Sequence, residues 1–255
     1  MDKIIKLWPG EAPYTAQSPD QPQPTLAAFP VEGARTAVVV CPGGAYIEKA
    51  DYEGNPIAEM LNAGGIAGYV LDYRVHPCHH LAPLTDALRA IRVVRAMGYA
   101  NVGILGFSAG GNLCCNAATH WDVGDPDAED PLERLSSRPD FFVPCYPVVS
   151  FTKYPHYGSY MNLVGDGDRH DLERFFSAEL NVNADTPPAF IWHTSNDELV
   201  PVENSLMLAQ ALSAAGVPYE MHIYPDGPHG VGLALEYPEV RVWTKQCVDF
   251  IKRRF

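Results

Sequence analysis

The stretch Ile104–Leu113, ILGFSAGGNL, places a serine between glycines. Ser108 stands two residues after Gly106 and two before Gly110, with Gly111 next to it. The apolar run NVGILGF (101–107) leads in and reads as a strand, and a helix from about Ser108 to His120 leads out. One reading makes Ser108 an N-cap in a glycine-rich turn. The other makes G-x-S-x-G, between strand and helix, a nucleophile elbow. In an elbow the serine takes a strained backbone conformation, and glycine on either side lets the chain pass tightly. The next backbone N–H, that of Ala109, then points toward a substrate oxyanion from a helix N-terminus.

Outward from this stretch the chain alternates. TAVVVCPGG is a β-branched run stopped by Pro42 and Gly43, IAGYVLDYRV a second buried strand, and NPIAEMLNAGG a helix with Ile57, Met60 and Leu61 on its apolar side. LAPLTDALRAIRVVRAMG places Leu84, Leu88, Ile91 and Val94–Met97 on one helical stripe. Beyond the serine, DFFVPCYPVV, PPAFIWHTS and YEMHIYP read as strands, ENSLMLAQALSAAG as a helix closed by Gly216, and EVRVWTKQCVDFIKRR as a terminal helix. Such alternation predicts an α/β fold: an open, mostly parallel sheet with helices on both faces and ligands at the C-terminal strand ends. Residues 9–33, rich in Pro and Gln, read as an arm crossing the surface. Residues 1–255 read as one domain, with 121–139 an acidic surface excursion and 151–186 a second, cap-like one.

An elbow needs an acid and a histidine further along, in that order. HTSNDELVPVENS follows the penultimate strand and carries Asp197; YPDGPHGVG follows the last and carries His229. Both loops leave the sheet at the elbow's edge. An imidazole serves as base because a serine hydroxyl does not ionise alone, and a carboxylate fixes the imidazole tautomer. Glu198, one residue on, is the rival acid. Taken singly, Asp197 is a turn residue and His229 a loop histidine; in order and on these loops they complete a catalytic set with Ser108. VVVCPGGAY after the first strong strand supplies backbone donors for an oxyanion, with a plain Pro-Gly turn as its alternative.

CPGGAY, LDYRV…APLTDALRAIRVVR, GFSAGG, PPAFIWHTSNDELVPVENS and GPHG together resemble the α/β-hydrolase superfamily. The resemblance is nearest to small bacterial acetylesterases related to hormone-sensitive lipase and to xylan or feruloyl esterases. It implies an α/β-hydrolase fold and places Gly44 and Ala45 in the family's H-G-G-G loop, with Ala109 as third oxyanion donor. Pro42 stands where that loop has its His, and Ala45 where it has its last Gly. These departures point away from the main hormone-sensitive lipase branch and toward compact esterases.

The expected activity is serine esterase chemistry on short acyl esters, acetyl first, with acetylated sugars or xylan fragments among the substrates. Amide or peptide hydrolysis is the rival reaction, and a catalytically silent binding protein the rival class. No cofactor or metal is called for. HPCHH (76–80) is weighed as a metal cluster and set aside; Asp86, His193, Cys114 and Cys115 read as structural. Tyr46, Tyr154 and Tyr157 are the expected walls for the substrate.

The 255 residues are 47% hydrophobic, with a net charge of -13 and no internal basic cluster, which excludes nucleic acid as the expected partner. No apolar run approaches the roughly 20 residues of a membrane span, and the N-terminus has no secretory h-region. Six cysteines without a C-x-x-C pair fit a reduced, cytoplasmic protein. The pattern leaves oligomeric state open.

Overall fold

In a computed structural model that describes residues 3–18 and 20–255, the chain forms one eight-stranded sheet. Its elements in order are β1 (Lys3–Lys6), β2 (Thr25–Phe29), β3 (Thr36–Cys41), α1 (Asn55–Ala63), β4 (Ala67–Asp72), α2 (Ala82–Arg95), β5 (Asn101–Phe107) and α3 (Ser108–Thr119). Then follow β6 (Phe142–Cys145), α4 (Tyr157–Leu163), α5 (His170–Phe175), β7 (Ala189–Thr194), α6 (Glu203–Ala215), β8 (Tyr219–Tyr224), α7 (Pro238–Arg241) and α8 (Trp243–Arg254). The strand order is β1-β2-β4-β3-β5-β6-β7-β8. The β1–β2 and β2–β4 pairs are antiparallel; the other five neighbouring pairs are parallel.

The central strands read as unbroken apolar runs because both of their faces are covered. In β3, Ala37, Val39 and Cys41 pack toward α2, α3 and α6, while Val38 and Val40 pack toward α1 and α8. All five are fully buried. Helices therefore cover both faces, as the alternation predicts.

Three details differ from the sequence reading. The arm at 9–33 contains β2, whose Leu26 and Ala28 point into the core while Thr25, Ala27 and Phe29 are half-buried. Flanking Pro and Gln hide this five-residue alternation. The terminal helix is interrupted at Val242, giving α7 and α8, where Trp243 turns into the core and its indole N–H donates to Gly232 O at 3.1 Å. The 121–139 excursion is pinned down. Buried Arg89 donates to Asp130 at 2.5 Å and Glu133 at 2.6 Å, and buried Arg92 pairs with Asp122 and donates to Leu135 O at 2.9 Å. Its acidity matches two arginines on α2 that would otherwise lie buried without an opposite charge.

Asp86 is structural, as expected. It is fully buried and accepts from the Arg74 guanidinium at 2.6 and 3.0 Å and from Arg74 N–H at 3.0 Å. Arg74 also donates to Pro13 O at 2.5 Å, which fastens the N-terminal arm to the sheet. Within HPCHH, His79 stacks on Tyr14 at 4.3 Å and its Nδ1 accepts from Leu81 N–H at 3.2 Å, while His76 and Pro77 are exposed. No helix among the described residues is long and apolar enough to cross a membrane.

Candidate active site

The loops after β3, β5, β6, β7 and β8 gather at one edge of the sheet, the C-terminal ends of its parallel strands. Ser108 sits there between β5 and α3 with φ +52°, a left-handed conformation that costs a non-glycine residue roughly 1–2 kcal/mol. The elbow needs its two glycines for close approach. A Cβ on Gly106 would lie 2.0 Å from Gly110 O, and one on Gly110 would lie 2.2 Å from Cys41 O. The strand, the helix and the loop after β3 therefore meet backbone to backbone around the serine.

The Ser108 hydroxyl donates to His229 Nε2 at 2.7 Å, and His229 Nδ1–H donates to Asp197 Oδ2 at 2.6 Å. Residues 89 and 32 positions apart in the chain thus form one hydrogen-bonded line. Asp197 Oδ1 accepts from Leu199 N–H and Val200 N–H, each at 3.0 Å. His193, fully buried, holds the other side. Its Nε2–H donates to Val200 O at 2.9 Å and lies 3.3 Å from Asp197 Oδ2, while its Nδ1 accepts from the Ser205 hydroxyl at 2.8 Å. It is a satisfied core histidine. Burial alone would raise the Asp197 pKa, but bonds from His193 and His229, the His229 charge and Val200 N–H outweigh it. The carboxyl is held well below the ordinary range. Glu198 is exposed and makes no hydrogen bond among the described residues.

Next to the serine, the β3–α1 loop turns through Gly44 at φ +128°, Ala45 at +52° and Tyr46 at +59°. A side chain at Gly44 would meet Glu48 O at 2.3 Å. The N–H groups of Gly44, Ala45 and Ala109 find no backbone or side-chain acceptor among the described residues, so three donors remain beside Ser108. The turn is braced from behind. Asn162 of α4 donates to Ala45 O at 2.9 Å, and His76 N–H donates to Tyr46 O at 2.7 Å. Glu53 Oε2 accepts from Gly43 N–H at 2.7 Å and Oε1 from the Tyr146 hydroxyl at 2.5 Å. Tyr146 in turn accepts from Gly232 N–H at 3.0 Å and sets its ring edge-on to His229, 5.0 Å between centroids. Burial pushes the Glu53 pKa up against the lowering effect of these donors.

The tyrosine walls require correction. Tyr46 is 1% exposed and donates to Asn112 Oδ1 at 2.9 Å, so it anchors the turn and offers nothing to a ligand. Tyr154 and Tyr157 are exposed, Tyr157 at 73%, and lie outside the cleft over Ser108. That cleft, about 510 Å³, is walled by Ile47, Tyr52, His156 and Leu199, with Glu48 and Asp51 along its edge. An apolar groove of about 450 Å³ continues from His229 past Tyr52, Val231, Leu233 and Leu235. Sequence reasoning missed Tyr52, Glu53, Tyr146 and His156 as site residues. Of these, Tyr146 lay in DFFVPCYPVV, read only as a strand, and His156 in the 151–186 segment, where no spacing rule separated it from the neighbouring tyrosines.

A family model described as BD-FAE matches residues 30–212. Endo-1,4-beta-xylanase B of Butyrivibrio fibrisolvens is 36% identical over 78% of this chain and 33% of its own length. An acetylxylan esterase of Xylanibacter ruminicola is 31% identical over 86% of this chain and 46% of its own. The chain thus spans a third to about half the length of these two relatives. Among solved structures, an acetyl ester-xyloside bifunctional hydrolase from Caldicellulosiruptor lactoaceticus superposes with a TM-score of 0.94 at 42% identity, covering 99% of this chain and 96% of that one. The sheet, the serine elbow and these matches agree: the chain belongs to the BD-FAE family of esterase-like α/β-hydrolases.

Proposed function

We propose that the protein is a serine carboxylesterase that removes short acyl groups, acetyl first, from sugar or xylan-fragment alcohols. The single observation that carries this reading is the unbroken line Asp197–His229–Ser108 beside three unpaired backbone donors. Asp197 holds the Nδ1–H tautomer, which leaves Nε2 free to take the serine proton as Oγ attacks the ester carbonyl. The carbonyl oxygen gains negative charge against Gly44, Ala45 and Ala109 N–H. His229 then hands its proton to the departing alcohol, and water releases the acyl group by the same route. Every step uses side chains and backbone of this chain.

The names of the acetylxylan esterase and acetyl ester-xyloside hydrolase relatives support an acetylated carbohydrate. The open rim supports a short acyl group. Ile47, Tyr52 and Leu199 are 50%, 52% and 60% exposed, so a long chain laid across them stays half in water. Each fully buried methylene would contribute about 0.8 kcal/mol, and such a rim supplies little of it. The six free cysteines, five of them buried, support a reducing compartment.

A fluorophosphonate probe tests the chemistry: it is expected to label wild-type protein stoichiometrically on Ser108 and to leave Ser108→Ala unlabelled. Initial rates on 4-nitrophenyl esters from acetyl to octanoyl are expected to fall beyond butyryl. An unlabelled wild-type protein means a silent binding module, and a rate that climbs to octanoyl means an acyl tunnel.

A further inference from the structure

His156 is the only side chain of the 151–186 segment, among the described residues, that lines the cleft over Ser108. Its ring caps α4. Ser159 N–H lies 3.3 Å from His156 Nδ1, and the Ser159 hydroxyl 2.9 Å from the same atom. A backbone N–H only donates, so Nδ1 carries the lone pair and the neutral ring keeps its proton on Nε2. That Nε2–H has no acceptor among the described residues. Burial, and then the nearby His229, lower the His156 pKa against the opposing pull of Asp197, which keeps the ring neutral near pH 7.

An acetyl ester offers this donor few partners. The carbonyl oxygen is already served by three backbone N–H groups, and the methyl group accepts nothing. The remaining acceptors belong to the alcohol. A simple aryl or alkyl alcohol has none beyond the ester oxygen itself, whereas a sugar carries hydroxyl and ring oxygens beside the ester. The opposite polarity is present on the same wall. Glu48 and Asp51 are exposed carboxylates that accept from hydroxyls, and Lys49 between them is paired with Asp72 at 2.7 Å.

We infer that His156 determines specificity for the alcohol half of the ester, its Nε2–H donating to a hydroxyl or ring oxygen of a sugar held above Ser108. This rests on the esterase reading above. His156 is a recognition residue; the bond-making steps run through Ser108 and His229.

The test separates capping from recognition. In His156→Asn the shorter side chain still caps α4 by accepting from Ser159 N–H, but it no longer reaches the cleft. His156→Ala loses both roles. Each variant is assayed on two acetates that differ only in alcohol, phenyl acetate and a mono-O-acetylated methyl xyloside, alongside its melting temperature. For His156→Asn the fall in kcat/KM on the sugar ester is expected to exceed that on the aryl ester by roughly threefold to tenfold, the size of one neutral hydrogen bond. The loss should lie in KM, with the melting temperature near wild type. Equal losses on both esters, or none on either, overturn the inference and leave the esterase reading standing. A wild-type protein inert on both esters and unlabelled at Ser108 overturns both.

Discussion

At the floor of the cleft, Ser108 and Asp197 are each 7% exposed, and the Gly44–Tyr46 turn is tied from behind by Asn162, His76 and Asn112. At the rim, Tyr52 and Leu199 are more than half exposed, and Tyr157 stands outside the cleft altogether. Floor and rim share the same ligand space and are built on different principles. The floor is fixed by backbone fit, with glycines at 106 and 110 allowing carbonyls and Cβ positions to meet at distances no other residue permits. The rim is a set of side chains delivered by loops that are distant in sequence. Substitutions should therefore be harsh at the floor and graded at the rim.

The largest expected effect is Asp197→Asn. An amide at this position accepts from either Leu199 N–H or His229, and its NH₂ group favours the wrong imidazole tautomer. Turnover should fall on the order of 10⁴-fold. Glu198→Gln, one residue away but exposed, should stay within about twofold. Initial rates on 4-nitrophenyl acetate measure both, and a larger loss at Glu198 would invert the division between floor and rim.

Gly110→Ala comes next. The new Cβ would meet Cys41 O at 2.2 Å and Pro42 O at 2.4 Å, both of them backbone. Overpacking of this kind costs about 1–3 kcal/mol or more. The melting temperature should drop by several degrees, and activity should fall with it as the Gly44–Tyr46 turn is pushed away from Ser108. An unchanged melting curve would show that the floor yields as freely as the rim.

The smallest effects belong to the tyrosines. Tyr52 lies against the 230–232 turn, where a Cβ on Gly232 would touch its ring at 3.0 Å, and it borders both the cleft and the apolar groove. Tyr52→Ala should raise KM severalfold on aryl acetates with little change in kcat. Tyr157→Ala should change neither. Steady-state kinetics on both variants compares them, and a larger effect at Tyr157 would mean that the 151–186 segment closes over the site.

The amino-acid sequence determined the alternating layers, the elbow and the order of its partners, because each leaves a local mark. Apolar runs bounded by Gly and Pro mark strands, a 3.6-residue stripe marks a helix, and a serine set between glycines marks a turn that only small residues can close. The N-terminal hairpin was illegible, since β2 is five residues long and acts as a strand only when β1 and β4 lie beside it. The acidity of 121–139 looked like a solvated face until Arg89 and Arg92 were placed beneath it. Only the tertiary structure decided which aromatic and polar side chains face the cleft. Tyr46 directly follows Gly44 and Ala45 yet points into the core, whereas Tyr52, Glu53 and His156 converge from segments about 100 residues apart. The direction of a loop side chain depends on backbone dihedrals and packing partners that no spacing in the sequence encodes, so folding decided which side chains line the cleft, whereas motif and chain order marked Ser108, Asp197 and His229.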